Sequence, residues 1–304
     1  MLKKKNIVIT GALGQDGIIL SKLLLKKKYN VFGVIKKNNS NKLKNITYNK
    51  LDLLDFIKIS KFLDKIKPFC VIHLGTENPN YIELKNKKDF YRNNLEATKN
   101  LINYFSLKQP NKKLILIGTS QMYKKTSRIV NLKSKFDPTN SYANFRVESF
   151  RYMLKKKKIY NSNMTTAILF NHDSRYRKKK FLIPRLVKSI KLKYFKKINE
   201  IYQENISADF SHAEDICKGL YKLIFSNKNV DKLIFSSGNS TSINEIIKYI
   251  VKKYKLNIQI KFKRNKIKKG LIGENKLAKK TLKWYPQKNI FIAANEIYQY
   301  HFSK

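Results

Sequence analysis

The chain has 304 residues, 42% of them hydrophobic and 12% aromatic, which excludes a disordered chain and is enough for a substantial core. No run approaches the ~18 apolar residues of a membrane span. The two cysteines, Cys70 and Cys217, are too distant in sequence for metal-ligand spacing, so neither a zinc site nor a disulfide framework is expected, and the cytoplasm is the expected location.

Lys and Arg number 66 against 20 Asp and Glu, a formal charge of +46. Such a charge is the usual footprint of a nucleic-acid binder. Only 8 of the 66 cations are Arg, however, and the lysines are scattered in short clusters such as 26–28 and 155–158. Asn, Ile, Tyr and Phe are plentiful too, and together these residues are the set encoded by A/T-rich codons. Solvated lysine-rich faces are therefore expected, without a specific nucleic-acid partner. A dedicated reader of bases would place Arg at its contacts. The field nonetheless favours anionic small molecules.

The basic start is followed by a short apolar run at 6–10 and no small-residue cleavage site, so it reads as a first strand and not as a signal peptide. A glycine-rich turn and an apolar-periodic segment to Lys28 come next. Residues 31–35 and 46–51 read as strands, 56–66 as a helix and 69–74 as a strongly apolar strand. Residues 90–107 have helical spacing, 114–117 are strand-like, 141–157 helical and 165–170 strand-like again. Strands alternating with helices of this length predict right-handed βαβ units, hence an α/β fold with a doubly wound parallel sheet of Rossmann type.

The pattern then loosens. Residues 171–180 read as a loop, 181–194 as a helix, 212–225 as an amphipathic helix and 233–235 as a strand. Residues 242–254 read as a capped helix, 258–262 as a strand, and the last two segments as helices. Residues 1–170 are expected to form the dinucleotide-binding domain, with 208–240 returning to it. Residues 171–207 and 241–304 are expected to form a smaller, interleaved substrate-binding part over the carboxyl edge of the sheet.

Gly11, Gly14 and Gly17 follow a strand directly and open a helix. The first allows the tight turn, the second lets a pyrophosphate approach the backbone, and the third lets helix and strand pack closely. The helix N-terminus then faces the anion. At the end of the second strand an acidic residue would bind a ribose 2′-hydroxyl, but Lys36 and Lys37 stand there, which favours NADP over NAD.

Tyr142 and Arg146 sit at i and i+4, on one face of a helix. Thr119 and Ser120 lie just past the strand at 114–117, at the edge where doubly wound sheets bind ligands. A phenol beside a cation and a hydroxyl can serve as a general base.

These stretches carry a resemblance to the extended short-chain dehydrogenase/reductases, and most closely to the GDP-mannose 4,6-dehydratase family. The opening Ile9-Thr-Gly-Ala-Leu-Gly-Gln-Asp-Gly17 resembles that family's glycine motif, including its Gln-Asp. Gly118-Thr-Ser-Gln-Met-Tyr123 resembles its Ser-Thr-Ser-Glu-Leu-Tyr, and Ser141-Tyr-Ala-x-x-Arg146 its Tyr-x-x-x-Lys. Leu169-Phe-Asn-His-Asp-Ser174 with Arg177, Ala208-Asp-Phe-Ser-His-Ala-Glu-Asp215, and the tail from Ile272 to Trp284 and Pro286 also fit.

The resemblance implies an NADP-linked enzyme that oxidises a nucleotide-diphosphate sugar at C4, removes the C5 proton, expels water from C6 and returns hydride there. Tyr142 is then the base, and Thr119 hydrogen-bonds the sugar. Arg146 replaces the Lys that holds the ribose and supports the phenolate. Gly11, Ala12, Leu13, Gly14, Gln15, Asp16 and Gly17, with Asp52, Leu53, Leu74, His172 and Arg177, would line the cofactor. Asn171, Arg185 and Arg264 would face the substrate. A homo-oligomer built through the helices at 90–107 and 141–157 is the pattern such relatives suggest.

The sequence also departs from that pattern. Gln121 stands where the family has the catalytic Glu, and a carboxamide cannot accept the C5 proton, which should slow elimination by much of ~10²–10⁴-fold. Ala208 replaces an Arg, and Glu77-Asn78-Pro79 replaces a Gln-Ser-His stretch. Three outcomes stay open: a 4,6-dehydratase, a 4-reductase or epimerase on a related nucleotide sugar, and a binding protein that no longer turns over. Glu77 is the one nearby carboxylate that could substitute as base.

Overall fold

The structure, a computed structural model, describes residues 4–36, 42–77, 87–125, 129–258 and 267–300. In chain order the elements of the first half are β1 (Asn6–Thr10), α1 (Gln15–Lys26), β2 (Asn30–Ile35), β3 (Thr47–Lys50), α2 (Phe56–Ile66), β4 (Cys70–His73), α3 (Lys87–Leu107), β5 (Lys113–Thr119), β6 (Ile129–Val130), α4 (Ser141–Tyr160) and β7 (Met164–Leu169). The second half has β8 (Asn171–Asp173), α5 (Leu182–Lys191), α6 (Phe195–Gln203), β9 (Ile206–His212), α7 (Ala213–Phe225), β10 (Lys232–Phe235), β11 (Ser240–Ser242), α8 (Ile243–Lys253), β12 (Lys268–Lys269), β13 (Ile272–Gly273), α9 (Lys276–Leu282) and α10 (Ile290–Tyr300).

Seven strands form one parallel sheet in the order β10-β7-β5-β4-β1-β2-β3. Alternation along each strand sends side chains to two faces. Ile7, Ile9, Ile115 and Ile117 pack with α1, α7 and Trp284 on one side. Val8, Leu114 and Leu116 pack with α2, α3 and α4 on the other. Every residue of β4 is buried, as a strand covered on both faces requires. This is the doubly wound sheet that the sequence predicts. The chain leaves β1 to one side for β2 and β3 and returns to the other side as β4, so the switch point lies between β1 and β4.

The remaining segments add a four-stranded sheet of β11, β9 and β12 with β8 beside β9. A second apolar cluster joins α5, α6, α8 and α10 to Ala208 and Phe210 of β9. Within 208–240, α7 packs on the large sheet and β10 extends it, while β9 belongs to the small one.

Local chemistry explains several boundaries. Asp55 caps α2 by accepting from Lys58 N, and Ser242 with Glu245 forms a reciprocal cap on α8. The helix expected over 181–194 stops at Lys191, because Lys193 takes a left-handed φ of +52° and restarts the chain as α6. β9 escapes a hydrophobicity pattern because polar residues are buried along it. Fully buried Asp209 accepts from Ser237 N at 2.8 Å, Ser237 Oγ at 2.7 Å and Gly238 N at 2.9 Å, which ties the small sheet to the end of β10. Most of the strand expected over 258–262 lies outside the described residues. No helix among the described residues is long and apolar enough to cross a membrane.

Candidate functional site

The carboxyl ends of β1 and β4 nearly touch. Gly11 adopts a φ of +69°, and a Cβ there would stand 2.7 Å from Gly75 Cα. A Cβ at Gly17 would stand 2.5 Å from Gly11 O, so helix α1 can approach β1 only without side chains at either position. Gly14 N donates to Gly11 O at 3.0 Å, and Gly14 caps α1 with no side chain over the first turn. The positive end of the helix therefore faces a cavity of about 650 Å³.

Gln15 and Asp16 brace this turn from behind. Gln15 Nε2 donates to His172 O at 3.2 Å, and Ser174 Oγ donates to Gln15 Oε1 at 3.0 Å. The Asp16 carboxylate lies 3.0 Å from His172 Nε2, while His172 Nδ1 meets Phe170 O at 2.6 Å. Burial disfavours both charges, but their attraction outweighs it: Asp16 is held below the usual carboxylate range and His172 is raised. Arg177 pairs with Asp173 at 3.4 Å on the same strap.

At the end of β5, Thr119 caps a short 3₁₀ turn, Ser120–Met122, by accepting from Gln121 N at 3.4 Å. Across from it on α4, Arg146 is buried, with only 5% exposed. Its Nη1 donates to Ile117 O at 2.5 Å and its Nη2 to Thr76 Oγ1 at 2.5 Å, with the Tyr142 hydroxyl 3.5 Å away. A planar fork reaches these three oxygens together, which explains why Arg can stand here. The Tyr142 ring packs edge-on against Phe145 at 5.5 Å.

The cavity brings together Gly11, Leu13, Gly14, Gln15, Asp16, Gly17, Lys36, Leu74, Thr119, Gln121, Tyr142, Arg146, Asn171, His172, Arg177 and Arg185. Six cations line it, Lys36, Arg146, Arg177, Lys178, Lys180 and Arg185, and Asp16 is its single carboxylate among the described residues.

Some expected positions lie elsewhere. Ala12 is fully buried under the turn, facing β2. Asp52 and Leu53 do not line the cavity: the Asp52 carboxylate accepts from Leu54 N at 3.0 Å, and Leu53 O accepts from Asn100 Nδ2 at 3.0 Å. Both belong to the turn that leads into α2. Lys36 lines the cavity, but its ammonium pairs with Glu77 at 2.7 Å, and Glu77 is not a lining residue. The place of the missing Arg, Ala208, is buried, and a Cβ on the neighbouring Gly270 would stand 2.6 Å from the Ala208 methyl, leaving no room for a long side chain. Lys37, Arg264, Asn78 and Pro79 lie outside the described residues.

The sequence pattern missed Thr76, Asn140 and Tyr176. Thr76 is a hydroxyl just beyond β4, a position that could have been searched. Asn140 caps α4 by accepting from Ala143 N at 2.9 Å, and an Asn directly before a helix is a readable signal. Tyr176 lines the cavity mouth. Burial alone would raise its phenol, but Lys22 donates to it at 2.6 Å and Arg175 at 3.0 Å, and together they hold it below the usual range.

The sequence model of the family described as GDP-mannose 4,6 dehydratase matches residues 8–294. A GDP-mannose 4,6 dehydratase of Drosophila melanogaster is 24% identical over 267 residues, 81% of this chain and 67% of the relative. The crystal structure of dTDP-glucose 4,6-dehydratase from Bacillus anthracis in complex with NAD superposes with a TM-score of 0.82 at 15% identity, covering 98% of this chain and 96% of that one. UDP-glucuronic acid 4-epimerase from Bacillus cereus in complex with NAD gives 0.81 at 19% identity, covering 97% of this chain and 98% of that one. These two likenesses are likenesses of fold. The match over 8–294, a glycine turn at the switch point and a Tyr142–Arg146 pair opposite it lead to one conclusion: the chain belongs to the GDP-mannose 4,6-dehydratase family, among the extended short-chain nucleotide-sugar dehydratases and epimerases.

Proposed function

We propose that this chain binds NADP and a nucleotide-diphosphate sugar, with GDP-mannose as the first candidate, and oxidises the sugar at C4 as the opening step of a 4,6-dehydration. The observation that carries this reading is the sharing of one cavity by the glycine turn and the Tyr142 hydroxyl.

A nicotinamide dinucleotide fits the residues present. The turn has no room for side chains at Gly11 or Gly17, and the first turn of α1 is uncapped. The Arg185 Nε, buried without a hydrogen-bond partner, is left for the substrate. When bound, the nicotinamide supplies a hydride acceptor and donor. The chain's own residues do the rest. Gly14, Gln15 and Asp16 would offer the helix end to the pyrophosphate, and Lys36 would meet a 2′-phosphate. Thr119 would orient the sugar 4-oxygen, and Tyr142 would take its proton while Arg146 stabilises the phenolate. Arg177 would line the cofactor, and Asn171 and Arg185 would face the sugar nucleotide.

A second reading, 4-epimerisation or 4-reduction, is favoured by the proton acceptors available. Gln121 is a carboxamide, Asp16 is engaged with His172, and Glu77 faces Lys36. Incubation in deuterated water of a panel of nucleotide sugars with NADP, and of their 4-keto forms with added NADPH, separates the readings by mass and NMR. Dehydration incorporates solvent deuterium at C5 and loses water, epimerisation inverts C4 without loss, and reduction consumes NADPH. A panel in which no sugar changes contradicts all three. The buried thiols of Cys70 and Cys217 suit a cytoplasmic setting, and α3 with α4 is the pair through which we propose self-association.

A further inference from the structure

The orientation of the Gln121 carboxamide is fixed by a chain of hydrogen bonds that starts at a backbone N–H. Ala143 N can only donate, so the atom of Asn140 that meets it at 2.9 Å must be the oxygen. The other end of the Asn140 amide is therefore its NH₂ group. That group lies 2.9 Å from Gln121, whose facing atom must then be Oε1. The remaining end of Gln121 is its own NH₂ group, which has two donors and no lone pair to offer. Gln121 lines the cavity beside Thr119 and Ser120, and among the described residues its NH₂ group donates to no other side chain or carbonyl.

We infer that Asn140 is a positioning residue that sets Gln121 as a donor-only wall of the sugar site. That wall selects a sugar that presents a carboxylate there over one that presents a hydroxyl: both oxygens can accept from the NH₂ group, but only the carboxylate adds its charge. The inference rests on the reading of this cavity as a nucleotide-sugar site. A charge-assisted bond to a carboxylate is stronger than one to a hydroxyl, which corresponds to a preference of about five-fold.

The Asn140→Asp variant tests this without removing the helix cap, since Asp caps as well as Asn. An Asp side chain still accepts from Ala143 N, but its second oxygen can also only accept, so Gln121 must turn its NH₂ inward and its oxygen toward the cavity. The first readout needs no ligand. In protein carrying ¹⁵N-labelled glutamine, the Gln121 side-chain amide is identified by its loss in Gln121→Glu. In the natural chain it should exchange with solvent as fast as a free amide, and in Asn140→Asp its exchange should slow at least several-fold. Equal exchange in the two proteins, or protection already in the natural chain, overturns the inference.

The second readout is binding of GDP-mannose against GDP-mannuronate in the presence of NADP. The natural chain should prefer the uronate about five-fold, and Asn140→Asp should abolish or reverse that preference. An unchanged preference, or a natural chain that prefers the hydroxyl sugar, overturns it. NADP titration of both proteins keeps the two levels apart. If neither binds the dinucleotide, the nucleotide-sugar reading fails whatever the amide does. If both bind it and the amide does not respond, only the Asn140–Gln121 inference fails.

Discussion

Lys36 and Glu77 form a 2.7 Å ion pair between the end of β2 and the segment that follows β4. Lys36 is the cation we propose to meet a 2′-phosphate, and the carboxylate beside it would offset part of the charge that selects NADP. The pair is largely solvated, and such pairs contribute about 0–1 kcal/mol. Glu77→Gln should therefore raise the preference for NADP over NAD by about two- to five-fold, measured as the ratio of the two dissociation constants. The gain should shrink as salt is added. A ratio that stays constant, or falls, would show that Lys36 does not read the phosphate.

Gln121→Glu keeps the bond from Asn140 Nδ2 and adds a carboxylate to the cavity wall. If the scaffold supports dehydration, exchange of the sugar C5 proton with deuterated water should rise by about 10²–10⁴-fold, as expected of an added general base. C4 inversion or reduction should gain much less. A variant with no faster C5 exchange would favour the epimerase or reductase reading.

Arg146→Lys replaces a fork that reaches Ile117 O, Thr76 Oγ1 and the Tyr142 hydroxyl with a single nitrogen. At least one of these oxygens loses its donor. A bond from a charged donor contributes about 1.5–3 kcal/mol, so kcat should fall by about tenfold or more, while NADP affinity changes less. Tyr142→Phe should lower kcat by about 10²–10⁴-fold with binding retained. Steady-state kinetics beside direct binding titrations distinguish these patterns.

Two buried histidines give stability opposite pH slopes. His73 accepts from Thr10 Oγ1 at 2.8 Å and faces Thr98 Oγ1 at 3.2 Å, and burial, helped by the nearby Arg146 charge, pushes it down from 6.5 to about 3. A depressed histidine contributes stability that is full above its unfolded value and is lost as pH falls from 6.5 toward 3. The His172–Asp16 pair runs the other way at its upper end: its contribution is full below 6.5 and lost as pH rises through the raised histidine value. At its lower end it is lost as pH falls below 3.8, through the lowered Asp16 value. Denaturant unfolding across pH should show His73→Asn flattening the acid slope and His172→Asn flattening the slope above neutrality. A natural chain whose stability is flat from pH 3 to 6.5 would contradict the His73 account.

The large sheet was legible because its chemistry is local. Ile7, Val8 and Ile9 alternate between two apolar faces, and Gly11, Gly14 and Gly17 mark the turn by what they lack. Tyr142 and Arg146 were legible by helical spacing. The small sheet was not, because β9 buries Asp209, whose partners lie far along the chain, and Ser211 beside it, and a buried polar strand has no hydrophobic period. Asp52 and Leu53 show the converse limit. The family resemblance implied that they line the cofactor, but an Asp two residues before an N–H closes its own turn, as Asp52 does with Leu54. The roles of Asn140 and Thr76 depend on tertiary contacts that spacing alone does not encode.

The most direct measurement follows a deuterium label from C4 of GDP-mannose during incubation with catalytic NADP, in the natural chain and in Tyr142→Phe. Oxidation at C4 predicts that the label leaves that carbon in the natural chain and reappears at C6 after dehydration, or at C4 of an inverted sugar after epimerisation, with transfer strongly slowed in Tyr142→Phe. A label that stays on C4 of every nucleotide sugar tested with the configuration there unchanged, or one that moves or inverts equally fast without the Tyr142 hydroxyl, would contradict the account.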